Sequence, residues 1–229
     1  MVPTYRIYDA VYGVTLVPKS PGLLRVLCWG ASKEELMTQL PGDLVVPVPR
    51  FTTTRAVTIE ASCEEVWPWL VQMGQGRGGF YSYDWLANLV GLDTNSTDRI
   101  HAEWQRLTVG GLVRMVPEGW RGMDTDLFPT NEVASVLTTH HLVLRAIARK
   151  TGEPPAAFEG SWAFVLTSLN ARRCRLIVRR RTVAKTRRGT VLILLQAPLH
   201  LLMERKMLLG IKARAERRAR RGYGTVSAR

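Results

Sequence analysis

The sequence predicts an α+β fold in which one antiparallel sheet packs against a long C-terminal helix. The first observation is the order of elements, a strand and two helices followed by successive strands, which disfavours a parallel βαβ sheet. The second is a helical apolar pattern over residues 189–221. The third is size, because 229 residues of which 46% are hydrophobic can bury one substantial core.

Residues 1–50 are expected to form an N-terminal extension that packs on the core. Ser32 followed by Glu35 forms a capping-box pattern at the start of a helix over 32–40, and prolines keep the following stretch to residue 49 extended. We expect the main domain over residues 51–221 and a flexible basic tail over 222–229.

The main domain is predicted to begin with a strand and two helices. β-branched residues alternate over 53–61 and predict a strand. A helix follows over 62–73, with Ser62 and Glu65 as a second capping box and Pro68 expected to kink it or shift its start. A short helix with an apolar stripe is predicted over 81–92.

The second half of the domain is predicted to consist of strands and one terminal helix. A polar connection over 93–111 ends in a glycine pair. The terminal helix is predicted either as one helix or as an apolar segment with a helix opening at Pro198. Alternation and turn residues place the strands over 112–117, 132–137, 141–148, 161–169 and 173–184.

Residues 74–79 read GQGRGG and match the G-x-G-x-x-G pattern of dinucleotide-binding loops. That function needs a strand before the loop and a βαβ unit around it. Here a predicted helix precedes the loop. We therefore expect the glycines to form a joint between two helices, with Gly74 at the helix C-terminus.

Several stretches resemble the SRPBCC superfamily of START-like and polyketide-cyclase-like helix-grip proteins, in particular an actinobacterial-type subgroup. The longest is TRAVTIEASCEEVWPWLVQMGQGRGGFYSYDWL, and EWQRLTVGG, PLHLLMERKMLLGIKARAE and LPGD resemble further segments. The resemblance implies a helix-grip fold, a curved antiparallel sheet wrapped around a long C-terminal helix with an internal apolar cavity.

This resemblance and a cluster of aromatic residues predict a protein that binds a hydrophobic or amphipathic small molecule, for transport or sequestration. The molecule is expected to be a lipid, polyketide or isoprenoid-like compound, because ligand pockets favour rigid aromatic side chains. Ordinary core packing is the alternative for the tryptophans. The candidate ligand-binding residues are Trp69, Phe80, Tyr81, Tyr83, Trp85, Trp104, Trp162, Leu199 and Met203.

An enzymatic alternative is a cyclase- or dehydratase-like catalyst acting on a polyketide- or lipid-like substrate. Proton transfer would then fall to Tyr81, Tyr83, Asp84 or His101, although Asp84 fits equally well on a helix surface. Adjacent histidines at 140 and 141 point to opposite sides of a strand. We predict neither a metal site nor a cofactor.

Polar residues near the C-terminus have several interpretations. His200 and Glu204 lie four residues apart on one helix face, where they either line the cavity or face solvent. The strand over 173–184 places three arginines on one face and Arg180 on the other. Either face is suited to bind an acidic head group, pair with carboxylates, or stay solvated. The three arginines are Arg175, Arg179 and Arg181.

Residues 172–229 contain 18 of the 32 basic residues but only two acids, whereas the rest of the chain is slightly acidic. This asymmetry fits either a solvated end of the helix or contact with anions, and it suits an anionic membrane surface more than nucleic acid, since base-stacking aromatics are not interleaved with the arginines. A third function is therefore peripheral membrane binding through Arg214, Arg217, Arg218, Arg220 and Arg221.

The three cysteines are scattered along the chain, which predicts neither a zinc site nor a disulfide framework and favours a reducing compartment. The N-terminus lacks the pattern of a signal peptide. We therefore expect a cytoplasmic protein and leave a membrane-peripheral location open. The sequence does not predict the oligomeric state.

Overall fold

The computed structural model describes residues 28–118, 120, 130–147 and 158–226. The helices are α1 (Lys33–Met37), α2 (Cys63–Val71), α3 (Asp84–Asn88) and α4 (Arg187–Val226), with a 3-10 turn at Ala102–Trp104. The strands are β1 (Phe51–Ile59), β2 (Leu112–Val113), β3 (Thr130–Leu137), β4 (His141–Ile147), β5 (Phe158–Asn170) and β6 (Arg173–Ala184). This order confirms the predicted α+β class.

The described strands form one antiparallel sheet in the order β1-β6-β5-β4-β3-β2. β5 and β6 are the longest strands and form a hairpin in which Phe164 lies opposite Val178. Residues 171 and 172 make its turn, inside the predicted turn. Because β1 and β2 stand at the two edges, the sheet is not closed.

Helix α4 covers the inner face of the sheet, as the helix-grip prediction requires. Met207, Leu208 and Ile211 on α4 are at most 2% exposed and belong to the same apolar core as β1, β5, β6 and α2. Full burial of such side chains stabilises a fold by roughly 1.5–3 kcal/mol each. The helix runs through Pro198 without a break, so the first of the two predicted forms is correct.

Several predicted boundaries differ from the structure. α3 starts at Asp84 instead of residue 81, because Tyr81 has a φ of 55° and cannot be helical. β2 ends at Val113 instead of residue 117, where Pro117 has no N–H for a ladder. The capping box at Ser62 is wrong, since this N-cap side chain makes no cap hydrogen bond.

Residues 31–50 lie on the outer face of the sheet, the face away from α4, whereas Trp29 packs against the inner core beside Arg205 of α4. α1 has the predicted capping box, with Ser32 N donating to Glu35 Oε2 at 2.7 Å and Glu35 N to Ser32 Oγ at 3.2 Å. Outward-facing side chains of β6 hold the segment: Arg175 binds Glu35 and Arg179 binds Asp43. On this face the arginines therefore pair with carboxylates, one of the predicted alternatives.

Candidate functional site

The GQGRGG loop is a closed joint that follows α2. Gly74 and Gly79 exchange backbone hydrogen bonds of 3.0 and 3.1 Å, and both have positive φ, 129° and 72°. Arg77 Nη2 donates to the carbonyls of Val71 at 2.9 Å and Trp104 at 2.7 Å. A helix, and not a strand, precedes the loop, which excludes the dinucleotide-binding function. The Arg77 side chain of the loop binds the end of that helix, which confirms the predicted joint.

Buried Gln72 connects this joint to two of the candidate catalytic residues. Its Nε2 donates to Tyr81 Oη and to the Arg99 carbonyl, both at 3.0 Å, and its Oε1 accepts from His101 N at 3.2 Å. Burial raises the pKa of Tyr81. Tyr81 is therefore a protonated, fully buried residue in contact with the edge of Trp69, with ring centroids 5.9 Å apart.

Asp84 and His101 also use their polar atoms within the protein. The Asp84 carboxylate accepts from Ser96 N at 2.7 Å and from Ser96 Oγ at 2.8 Å. His101 Nε2 lies 3.1 Å from Thr97 Oγ1, and its ring stacks on Trp104 at 4.2 Å. Among the described contacts, these groups fix the chain after α2 and do not converge on one point.

The predicted ligand-binding residues fall into three environments. Trp69, Tyr81 and Trp162 are buried in the core, whereas Trp85 is 64% and Leu199 50% exposed. The others are partly buried: Phe80, Tyr83, Trp104 and Met203. Lys206 Nζ lies 5.5 Å from the Tyr83 ring centre, and Ser82 Oγ donates to the Met203 carbonyl at 2.7 Å. The candidate Tyr83 therefore lies beside α4, the helix that contains the candidate Met203.

Polar side chains from β1, β5, β6 and α4 meet on the inner face of the sheet. Glu204 is 3% exposed, forms an ion pair with Arg55, and accepts from Trp162 Nε1 at 2.9 Å. Arg180 contacts His200 Nε2 and lies 5.9 Å from the centre of the Trp162 ring. We call Arg55, Trp162, Arg180, His200 and Glu204 the inner polar cluster.

The inner polar cluster has more positive than negative charge. Burial, with the nearby charge of Arg180, lowers the pKa of Arg55 to about 10, and burial lowers that of Arg180 to about 10, so both stay protonated at neutral pH. Burial and these two charges hold the pKa of His200 well below its usual range. The cluster thus contains two guanidinium groups and one carboxylate, which pairs with Arg55, while the neutral imidazole of His200 accepts from Arg180.

The arginines of this cluster are also poorly satisfied. Arg55 is 1% exposed, yet its Nε has no hydrogen-bond partner in the described part of the chain. Arg180 and His200 are partly exposed, so the cluster reaches the surface beside the N-terminal half of α4. An incompletely paired buried guanidinium is costly unless an anion completes its shell. The arrangement can accept a carboxylate or a similar anionic group.

Sequence reasoning found only part of this cluster. The four-residue spacing predicted the shared face of His200 and Glu204, and the structure places both toward the sheet. Arg55 was not a candidate, although it lies two and four positions before the apolar residues Val57 and Ile59 in β1 and so shares their face. That alternation was the available signal, because it places Arg55 on the buried face.

Two cysteines that are distant in sequence lie together in the core. Cys63 Sγ and Cys174 Sγ are 2.7 Å apart and both residues are buried. Local spacing could not reveal this pair, since 111 positions separate the two residues. Burial raises the pKa of both thiols, so Cys63 is not an activated thiolate despite its place in the first turn of α2.

The described residues contain no group of three or more His, Cys, Asp or Glu side chains placed to hold a metal ion. The described helices also include none that is long and apolar enough to cross a membrane.

Solved structures with a similar course of the chain include enzymes. An aromatase/cyclase from Streptomyces sp. R1128 is 16% identical with a TM-score of 0.41, over 73% of this chain and 94% of its own. Norcoclaurine synthase from Thalictrum flavum is 12% identical with a TM-score of 0.42, over 72% and 92%. The Aha1 protein from Colwellia psychrerythraea is 14% identical with a TM-score of 0.35, over 72% and 96%. No family model and no curated protein matches the sequence.

Proposed function

We propose that this chain binds an amphipathic small molecule whose anionic end lies against Arg180 and Arg55 of the inner polar cluster. The apolar part of the molecule packs along the inner face of the sheet. One observation carries this proposal: of the two guanidinium groups in the cluster, only that of Arg55 contacts the carboxylate of Glu204, and Arg55 Nε is unpaired among the described residues.

The chemistry of the cluster supports an anionic partner. A guanidinium presents planar donors that match a carboxylate in a two-bond arrangement. Glu204 is already engaged by Arg55 and Trp162, and the described contacts of Arg180 are the neutral ring of His200 and the face of Trp162. A bound carboxylate would neutralise the cluster.

The surroundings support an apolar body for the same ligand. Phe164 stacks beside Trp162 with ring centroids 4.7 Å apart, and Leu144 lies opposite Trp162 in the sheet. Both Phe164 and Leu144 are at most 1% exposed. An aliphatic or aromatic chain would bury its surface beside these residues only by displacing side chains that now cover them.

The test is a fluorescence titration of the purified full chain with cis-parinaric acid and, separately, with its methyl ester. Arg180→Met should weaken binding of the acid by about tenfold or more, because a hydrogen bond to a charged group contributes roughly 1.5–3 kcal/mol. Binding of the uncharged ester should change little. The matched control is Arg173→Met, which removes an exposed guanidinium from the same strand.

Two results would contradict the proposal. One is equal affinity of the wild-type chain for the acid and the ester. The other is an Arg180→Met variant that binds the acid as tightly as the wild type.

The enzymatic alternative has no comparable support. The polar atoms of Tyr81, Asp84 and His101 are bound by Gln72, Ser96 and Thr97. Among the described contacts these atoms do not converge on one point, as proton transfer to a single substrate would require.

A further inference from the structure

The N-terminal half of α4 carries an exposed row of large apolar side chains. The row follows helical spacing, with steps of three and four residues, so its members share one side of the helix. Their exposed fractions range from 47% to 72%. We call this row the apolar stripe: Val191, Leu194, Leu195, Leu199 and Leu202.

The apolar stripe points away from the rest of the protein. On the opposite side of the same helix, His200 and Glu204 contact the inner polar cluster and Met207 lies in the core. The stripe is therefore separate from the proposed ligand site. A contiguous row of exposed leucines on a soluble surface marks an interaction site more often than scattered apolar residues do.

The charges around the stripe identify the kind of partner. The sequence contains no Asp or Glu between Glu159 and Glu204. Exposed cations stand at both ends, Arg187 before the stripe and Arg205 and Lys206 after it. An apolar side flanked by cations and free of acids matches an anionic lipid surface, which offers acyl chains below a layer of negative head groups.

Helix α3 adds a second apolar element beside this end of α4. Trp85 is 64% and Leu89 72% exposed, and their four-residue spacing puts them on one side of α3. Tyr83, immediately before α3, lies against Lys206 of α4. An exposed tryptophan and a tyrosine that contacts a lysine are side chains that membrane interfaces favour.

We infer that the apolar stripe docks on an anionic lipid bilayer, with its leucines in the boundary between head groups and acyl chains. The helix lies along the surface, since none of the described helices is apolar enough to span the bilayer. This places the membrane contact at the start of α4, whereas the sequence placed it at the C-terminal arginines. Two of those, Arg214 and Arg217, lie 2.8 and 3.5 Å from Asp98.

The test is co-sedimentation of the full chain with vesicles of phosphatidylcholine alone and of phosphatidylcholine with phosphatidylserine. The wild type should bind the mixed vesicles and bind them less at high salt. The double variant Leu195→Ser/Leu202→Ser should bind about tenfold or more weakly, because it removes two inserted side chains. The matched control is Leu137→Ser/Leu169→Ser, whose leucines are 54% and 49% exposed on strand ends.

Each other outcome overturns the inference. Failure of the wild type to bind phosphatidylserine vesicles removes it, as does equal loss in the stripe and control variants. A dimer seen by analytical ultracentrifugation that Leu195→Ser/Leu202→Ser dissociates would assign the stripe to a second copy of the chain. Titration of the stripe variant with cis-parinaric acid in the absence of vesicles tests the ligand proposal separately. That proposal predicts that the variant binds the acid as tightly as the wild type does.

Discussion

The two faces of strand β6 use arginine in different ways. On the outer face, Arg179 donates five hydrogen bonds to Thr54, Thr38, Asp43, Glu35 and Leu36. On the inner face, adjacent Arg180 contacts only a neutral histidine and an aromatic ring among the contacts described above. The outer arginine binds part of its own chain, whereas the inner one is the arginine that we propose binds the anionic end of a ligand.

This difference shows that burial of a charged side chain does not reveal its role. The satisfied guanidinium of Arg179 stabilises the fold because every donor has an acceptor. The incompletely paired guanidiniums of Arg55 and Arg180 lower stability, and such groups persist mainly where function requires them. The number of acceptors around each group therefore separates a structural arginine from a binding arginine.

Arg179→Met should cause the largest loss of stability. The substitution leaves the Asp43 carboxylate buried with fewer partners and releases residues 31–50 from the sheet, so the free energy of unfolding should fall by about 3–5 kcal/mol. Urea denaturation measures it. Arg180→Met is the matched variant on the inner face and should change stability by about 1 kcal/mol or less, because it removes an incompletely paired charge. Equal losses in the two variants would abolish the distinction between the faces.

Glu204→Gln should have the next largest effect. It leaves two inner guanidinium groups without a carboxylate, and removing one partner of a buried pair costs about 3 kcal/mol. The double variant Arg55→Met/Glu204→Leu removes the pair together and should be close to the wild type in the same urea denaturation experiment. A double variant as unstable as Glu204→Gln would show that packing, and not charge, determines the loss.

The sequence determined the order of elements better than the assignment of faces. The alternation of residues 173–184 placed Arg180 on one face of the strand and Arg175, Arg179 and Arg181 on the other. It did not decide which of these faces binds a ligand, pairs with carboxylates or stays solvated. Cys174, Leu176 and Val178 share the face of Arg180 and could have marked it as the inner one, whereas the other face has four arginines around Ile177 and Val183.

Contacts between distant segments decided the remaining assignments. Arg179 meets Asp43 across 136 positions, and no local pattern predicts such a pair. The apolar side of α3 was recognised, yet Trp85 and Leu89 are exposed, because periodicity shows that a face is apolar and not what covers it. The ligand-binding role of the candidate residues given in the sequence analysis, from Trp69 to Met203, stays a prediction.

His200 should give stability a dependence on pH that the outer face lacks. In the folded chain its pKa lies well below the usual value of 6.5, whereas the unfolded chain takes up a proton near that value. The unfolded state therefore binds more protons at low pH, and stability should fall as pH drops below about 6.5, by at most about 1.4 kcal/mol per pH unit. Above pH 7 the contribution is constant.

The measurement is urea denaturation from pH 7 down to pH 5 for the wild type and two variants. His200→Gln should flatten the slope, since it removes the ring that faces Arg180, Arg55 and Glu204. His140→Gln alters an exposed histidine and should keep it. An unchanged slope in His200→Gln would mean that other groups produce the dependence.

Arg173→Ala should have the smallest effect, although Arg173 belongs to the same strand and also forms an ion pair. Its Nε lies 3.0 Å from Glu60 Oε1, but the two side chains are 47% and 58% exposed, so water and salt screen the interaction. The free energy of unfolding should change by about 0.5 kcal/mol or less, and less still at high salt. A loss approaching that of Arg179→Met would show that position along β6, and not the number of buried acceptors, determines how much an arginine contributes.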